Sequence, residues 1–117
     1  MKLLQTERLI LYALGQFYVS LNQPLVKPLQ IRTSKILFIE HLLHSSIIPE
    51  QERALYKNLE ALEKKKLIVY ENKMITFTEA GLKELEMIKK EVQQFISLEH
   101  YFAQEKPKRK LQTVMRN

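Results

Sequence analysis

The 117-residue sequence has no cysteine and no aspartate, and it contains only two glycines. Without cysteine, the chain forms no disulfide, no thiolate zinc site and no cysteine nucleophile. Without aspartate, it lacks the acid of a Ser–His–Asp triad, and two glycines are too few for a glycine-rich phosphate loop. The composition therefore predicts that the protein is not an enzyme and uses no cofactor.

Long apolar runs are also missing from the sequence. No stretch approaches the ~20 consecutive apolar residues of a membrane-spanning helix. The apolar N-terminal segment carries Glu7 and Arg8 in its middle and has no small-residue cleavage site, which argues against a signal peptide. We therefore expect a cytoplasmic protein without membrane contact.

The three histidines offer little for a metal site. His41 and His44 lie one helical turn apart, a spacing that can bind a metal ion. Glu40 is the one further ligand beside them, and His100 stands next to Tyr101 with no other ligand nearby in the sequence. We expect ordinary surface histidines and predict no metal site.

The net charge of +6 is concentrated at the C-terminal end of the sequence. Residues 105–117 carry five basic side chains against Glu105, and the other 104 residues contribute only +2. A basic segment can bind nucleic-acid phosphates without sequence preference, or it can simply keep a protein soluble. We predict that residues 105–117 form a basic, disordered tail.

Apolar residues recur at helical spacing in four stretches, which predicts a mainly α protein. Thr6 is the expected N-cap of the first helix, whose apolar stripe includes Leu9, Leu14 and Leu21. Thr33 or Ser34 is expected to begin the second helix, and Thr78 or Glu79 the last. The predicted helices cover residues 6–21, 33–44, 50–65 and 79–104.

Short β-prone runs complete the predicted architecture. Residues 67–70 and 74–77 are separated by Glu71, Asn72 and Lys73, and Asn72 tolerates the positive φ of a tight hairpin turn. Residues 29–32 alternate in polarity and predict one further short strand. The resulting order of helix, strand, helix, turn, helix, hairpin and long helix is typical of a winged helix-turn-helix protein.

Two segments resemble the winged helix-turn-helix regulators of the MarR-like and PadR-like families. Residues 55–68, LYKNLEALEKKKLI, are similar to their recognition-helix pattern, which ends in L-x-x-L-E-x-x-G-L-I. Residues 75–85, ITFTEAGLKEL, are similar to the pattern y-x-L-T-x-x-G-x-x-x-L that follows their wing. Lys66 replaces the family's glycine at a position that prefers a left-handed backbone, and the hairpin tip of about three residues is short.

The resemblance implies a winged helix-turn-helix domain over residues 1–78 and a C-terminal dimerisation helix over residues 79–104. It implies a sequence-specific transcription regulator, most simply a dimeric repressor, whose helix 50–65 enters the major groove of double-stranded DNA. The alternative is a winged-helix module that docks on another protein in a replication, transcription or defence assembly. The near-neutral body and the glutamates of the third helix favour that alternative.

The candidate DNA contacts are centred on the outer face of the third helix. On a helical wheel, the side opposite Leu55 holds Arg53 and Lys57, which we expect to be the main groove contacts. Glu50 and Glu60 lie three or four residues from basic residues of that side, so the alternative is a solvated, internally paired surface. The candidate set is Thr33, Ser34, Lys35, Gln51, Arg53, Tyr56, Lys57, Lys64, Asn72 and Lys73.

The apolar stripe of the last helix predicts a homodimer interface. The stripe continues at a- and d-like spacings beyond the length that one small domain covers, and its exposure on a monomer would favour aggregation. The alternative is that the helix folds back on Leu9, Leu14 and Phe17 of the same chain. The candidate dimer residues are Leu85, Ile88, Val92, Phe95, Ile96 and Phe102.

Overall fold

The computed structural model describes residues 2–21 and 33–105. This part of the chain is mainly helical with a small antiparallel hairpin, as the sequence predicts. The predicted strand 29–32 and residues 106–117 of the predicted tail lie outside it. The elements are α1 (Gln5–Ser20), β1 (Thr33–Ser34), α2 (Lys35–Ser45), α3 (Glu52–Lys64), β2 (Ile68–Glu71), β3 (Met74–Phe77) and α4 (Glu79–Gln104).

The start of helix α1 is capped by the carboxylate of Glu7, which lies in its first turn. The backbone N–H of Leu4, the N-cap residue, donates to Oε1 of Glu7 at 2.9 Å. The prediction of Thr6 as N-cap is therefore wrong, because a glutamate three residues into a helix can satisfy the same unpaired amide. The buried face also includes Leu11, whereas Leu9 and Leu21 of the predicted stripe are exposed.

Helices α2 and α3 pack their apolar faces into the core. Helix α2 begins at Lys35, next to the start expected at Thr33 or Ser34, and its N-cap Ser34 accepts from the N–H of Leu37 through its hydroxyl at 3.1 Å. Ser46 ends α2 in the left-handed conformation. Helix α3 begins at Glu52, two residues later than predicted. It buries Leu55, Leu59 and Leu62, which leaves its opposite face in solvent.

The β2–β3 hairpin closes through a two-residue turn. Glu71 pairs with Met74, so the tip consists of Asn72 and Lys73 and is one residue shorter than expected. Both tip residues have positive φ, 53° and 64°, as a type I′ turn requires. Strand β1 adds to the same sheet by pairing Thr33 with Ile75, which gives the order β1–β3–β2.

The junction between the hairpin and α4 is held by Thr78. Its N–H donates to the carbonyl of Leu67 at 3.0 Å, and its hydroxyl donates to the carbonyl of Lys66 at 2.7 Å. The same hydroxyl accepts from the N–H of Gly81 and caps α4. Lys66 adopts a φ of 63°, the left-handed conformation that the sequence predicts there.

The first half of α4 belongs to the core of the same chain, and the second half projects from it. Gly15 of α1 lets the helices approach closely, since a Cβ there would lie 2.8 Å from a methyl group of Leu85. Leu85 and Ile88 are buried, Val92 is partly buried, and every residue from Gln93 to Glu105 is exposed. Within the described ranges, no helix is long and apolar enough to cross a membrane.

Candidate nucleic-acid interface

The outer face of α3 presents three basic side chains. Arg53, Lys57 and Lys64 are exposed, because the buried leucines of α3 lie on the opposite side of the helix. Glu60 is exposed on the same face, as the helical wheel predicts. The outer face of α3 therefore carries both positive and negative charges. Whether it can bind an anion depends on whether these charges pair with one another.

These charges do not pair within the described residues. Two ion pairs are formed there, Arg8 with Glu91 and Lys65 with Glu7, and neither uses the outer face of α3. Glu60 therefore does not form the ion pairs with Lys57 and Lys64 that its spacing in the sequence allows. Arg53, Lys57 and Lys64 are available to an anion from another molecule.

A shallow groove lies at the N-terminal end of α3. Its volume is about 370 Å³, and its lining includes Glu50, Gln51, Arg53 and Lys57. Gln51 is the N-cap residue, but its side chain makes no capping hydrogen bond to the described chain. The first amides of α3 lie at this end of the helix, where their partial positive charge favours an anion. A phosphate oxygen can satisfy such amides, although Glu50 opposes it.

The ammonium group of Lys35 lies over two tyrosine rings. Its Nζ is 4.0 Å from the ring centroid of Tyr70 in β2 and 5.2 Å from that of Tyr56 in α3. The backbone N–H of Lys35 donates to the carbonyl of Lys73 at the hairpin turn. Two candidate DNA contacts, Lys35 and Tyr56, are thus brought together with Tyr70, which the sequence analysis did not identify.

Acidic groups surround this aromatic pair. The pKa of Tyr56 is raised above its ordinary value, first because the phenol is partly buried and then because of the negative charges of Glu52, of Tyr70 once it is ionised, and of Glu40. The junction of α2 and α3 is therefore not part of a continuous basic stripe. A phosphate approaching Lys35 would meet Glu40 and Glu52 as well.

The remaining candidate contacts lie near the hairpin and the start of α2. Asn72 and Lys73 are exposed at the hairpin tip. The backbone of Thr33 pairs in the sheet, and the hydroxyl of Ser34 is used in capping α2. Of this group, Asn72 and Lys73 have side chains placed to reach a second molecule.

The charge of the described residues is balanced. They contain twelve lysines and arginines against thirteen glutamates. The seven other basic residues, and therefore the positive net charge of the chain, fall in segments 22–32 and 106–117. Any nucleic-acid contact by the described residues thus depends on local placement of charge on α3 rather than on a general positive field.

The candidate dimer residues fall into two groups. Leu85 and Ile88 are 3% and 6% exposed within a single chain, so they have little surface left for a partner. Phe95 and Phe102 are 61% and 58% exposed, and Ile96 is also exposed. Two further exposed residues of the projecting half of α4 were not identified from the sequence, although they follow the same helical spacing: Leu98 and Tyr101.

The remaining exposed polar groups form no metal site in the described part. His41 packs on the ring of Phe17, with 5.3 Å between centroids. No group of three or more metal-binding side chains comes together there.

No protein-family model, curated protein or solved structure matches the chain. Its function is therefore inferred from the geometry of the site.

Proposed function

We propose that this protein is a winged helix-turn-helix regulator of transcription that binds double-stranded DNA as a dimer. In this proposal α3 enters the major groove and the β2–β3 hairpin is the wing. The order of the helices and strands and the pairing of β1 with the hairpin support the fold. The observation that carries the function is the set of three exposed basic side chains on the outer face of α3, which form no ion pair with residues 2–21 or 33–105.

The geometry of α3 suits the major groove of B-DNA. The groove is about 12 Å wide and admits an α-helix whose outward side chains donate to base edges. Arg53 and Lys57 are four residues apart and therefore project from the same side, in the first two turns of α3. Lys64 and Lys73 lie at the far end of α3 and at the hairpin tip, where phosphate contacts would fix the register of the helix.

A dimer would present two copies of α3 to successive major grooves, about 34 Å apart. The projecting half of α4 supports this arrangement, because Phe95 and Phe102 are more than half exposed there. Occupancy of such a paired site within a promoter would exclude other proteins, which is the simplest action of a repressor.

The second candidate function is a module that docks on another protein. The balanced charge of the described residues favours it, because DNA-binding surfaces are usually strongly positive. Exposed apolar residues of α2 and the following turn also favour it, since Ile36, Leu43 and Ile47 present an apolar surface to solvent.

The first proposal is tested by measuring how strongly variants with two substitutions bind double-stranded DNA. We expect the R53A/K57A variant to bind its preferred genomic fragment about 2–4 kcal/mol more weakly than wild type in a gel-shift titration at two salt concentrations. The charge-matched control is K83A/K90A, which removes two exposed lysines from α4. The control should retain the preference for that fragment, and thermal unfolding should show that both variants are folded.

If wild type and R53A/K57A bind the fragment equally well, then α3 does not contact DNA and the proposal is wrong. Equal losses in both variants, with no preference among fragments, would show only nonspecific attraction of charge. Absence of duplex binding by the wild-type protein would favour the docking module.

A further inference from the structure

Three elements of the proposed DNA-binding face meet at Lys35. It is the first residue of α2, its backbone N–H donates to Lys73 at the hairpin turn at 3.2 Å, and the preceding Ser34 pairs with Met74 of β3. Its side chain then extends to Tyr70 of β2 and Tyr56 of α3. The side chain of Lys35 therefore contacts β2 and α3, and the residue before it, Ser34, pairs with β3.

The surroundings of the Lys35 ammonium already satisfy its charge. A cation within about 6 Å of a tyrosine centroid is attracted by the negative face of the ring, and Lys35 lies within that distance of two rings. Glu40 and Glu52 act on the adjoining Tyr56 and help to raise its pKa, so two carboxylates lie near the rings. A DNA phosphate that bound Nζ would compete with the two rings for the ammonium and would be repelled by these carboxylates.

We infer that Lys35 is a positioning residue, which holds the β2–β3 hairpin against α2 and α3 through Tyr56 and Tyr70 and does not itself bind a phosphate. This inference rests on the proposed function, because the position of the hairpin matters when hairpin and α3 contact one duplex together. The hairpin has only four residues in each strand, and β2 is the outer strand, because β1 pairs with β3. A contact from Lys35 to Tyr70 therefore ties the outer strand to α2 and helps to fix the distance between the hairpin tip and α3.

The dependence of DNA affinity on salt separates positioning from phosphate binding. Each phosphate contact contributes about 0.9 to the slope of log affinity against log salt concentration. K64M is the reference, because it makes the same substitution at a lysine that the proposed function places beside a phosphate. We expect K64M to lower the slope by about 0.9 if Lys64 binds a phosphate, and K35M to weaken binding several-fold with the wild-type slope.

Hydrogen exchange in the free protein tests the contact between Lys35 and Tyr70 without DNA. We expect K35M and Y70L to raise the exchange rates of hairpin amides about fivefold, as loss of a cation–π contact of about 1 kcal/mol predicts. Y70F keeps the ring and is the matched control, so it should exchange like wild type. The double variant K35M/Y70L should exchange no faster than Y70L, because both substitutions remove the same interaction.

Two results would overturn the inference. One is a K35M variant with a reduced salt slope and wild-type hairpin exchange, which would make Lys35 a phosphate contact. The other is a K35M variant with unchanged hairpin exchange and unchanged affinity. If the wild-type protein binds no duplex, the proposed function fails, and exchange in the free protein still decides whether Lys35 holds the hairpin.

Discussion

Oε1 of Glu7 lies 2.6 Å from Nζ of Lys65, so the first turn of α1 is ion-paired with the residue that follows α3. The carboxylate is only 3% exposed and also accepts from the N–H of Leu4. Burial raises the pKa of Glu7, but the hydrogen bonds from Lys65 and Leu4 and the positive charge of Lys65 outweigh it. The net effect is a pKa below the ordinary value of 4.5.

We predict that E7Q lowers the free energy of unfolding by about 1–2 kcal/mol at pH 7, because the hydrogen bond from Lys65 loses its charged acceptor. The folded-state pKa is the lower one, so the contribution of Glu7 is complete above 4.5 and is lost as pH falls through the folded-state value. The difference between wild type and E7Q in urea titrations should therefore shrink below about pH 4.

The matched control for E7Q is E63Q, which neutralises an exposed glutamate in the last turn of α3. It should change the free energy of unfolding by less than about 0.5 kcal/mol at either pH. A constant difference between wild type and E7Q from pH 7 to pH 3 would mean that Glu7 is not stabilised as a carboxylate in the folded state.

The two glycines provide a second prediction, because their surroundings differ. A Cβ at Gly81 would lie 1.9 Å from the carbonyl oxygen of Leu67, which is backbone, whereas a Cβ at Gly15 would meet side-chain methyls of Leu85. We predict that G81A lowers the free energy of unfolding by about 2–3 kcal/mol. G15A should change it by less than about 1 kcal/mol, since the gain in helix propensity offsets the crowding of a movable side chain. Thermal and urea unfolding of the two variants measure this difference, and equal stability would contradict the packing of α4 on Leu67.

Local signals in the sequence predicted the elements well. Helices α2 and α4 begin within two residues of their expected starts, and Asn72 lies in a tight turn as expected, because each of these features depends on a few neighbouring residues. The residues that determine a helix start or a tight turn lie within about four positions of it in the sequence. The bounds of α2 and α4 therefore followed from the sequence with small errors.

Long-range contacts were the part that the sequence did not reveal. The partners of Glu7 and Lys35 are 58 and 35 residues away, at Lys65 and Tyr70. Periodicity assigns each of these residues to a helix or strand but does not bring two distant elements together. For the same reason the wheel of α4 placed Leu85 on a dimer face, although its early turns pack on α1 of the same chain.

Two grooves lie along α1 near the point where α4 projects from the core. Two adjoining grooves of about 320 and 340 Å³ share Leu9 and Tyr12 in their linings, and Phe95 lines the first of them. A second copy can place its exposed α4 residues along these grooves while receiving the same contact in return, as a two-fold interface requires. This arrangement covers the apolar surfaces of both helices.

We predict that F95K/F102K converts a dimer into a folded monomer. Both residues are exposed and seven apart on one face, so their replacement leaves the protomer core intact, unlike a change at the partly buried Val92. M87K is the control, because Met87 is also exposed on α4 but lies before the projecting half, and this variant should stay dimeric. Multi-angle light scattering gives the mass of each variant, and loss of the second half-site should weaken operator binding by about 100-fold or more. A wild-type protein that is monomeric at micromolar concentration would rule out this interface, whatever the variants do.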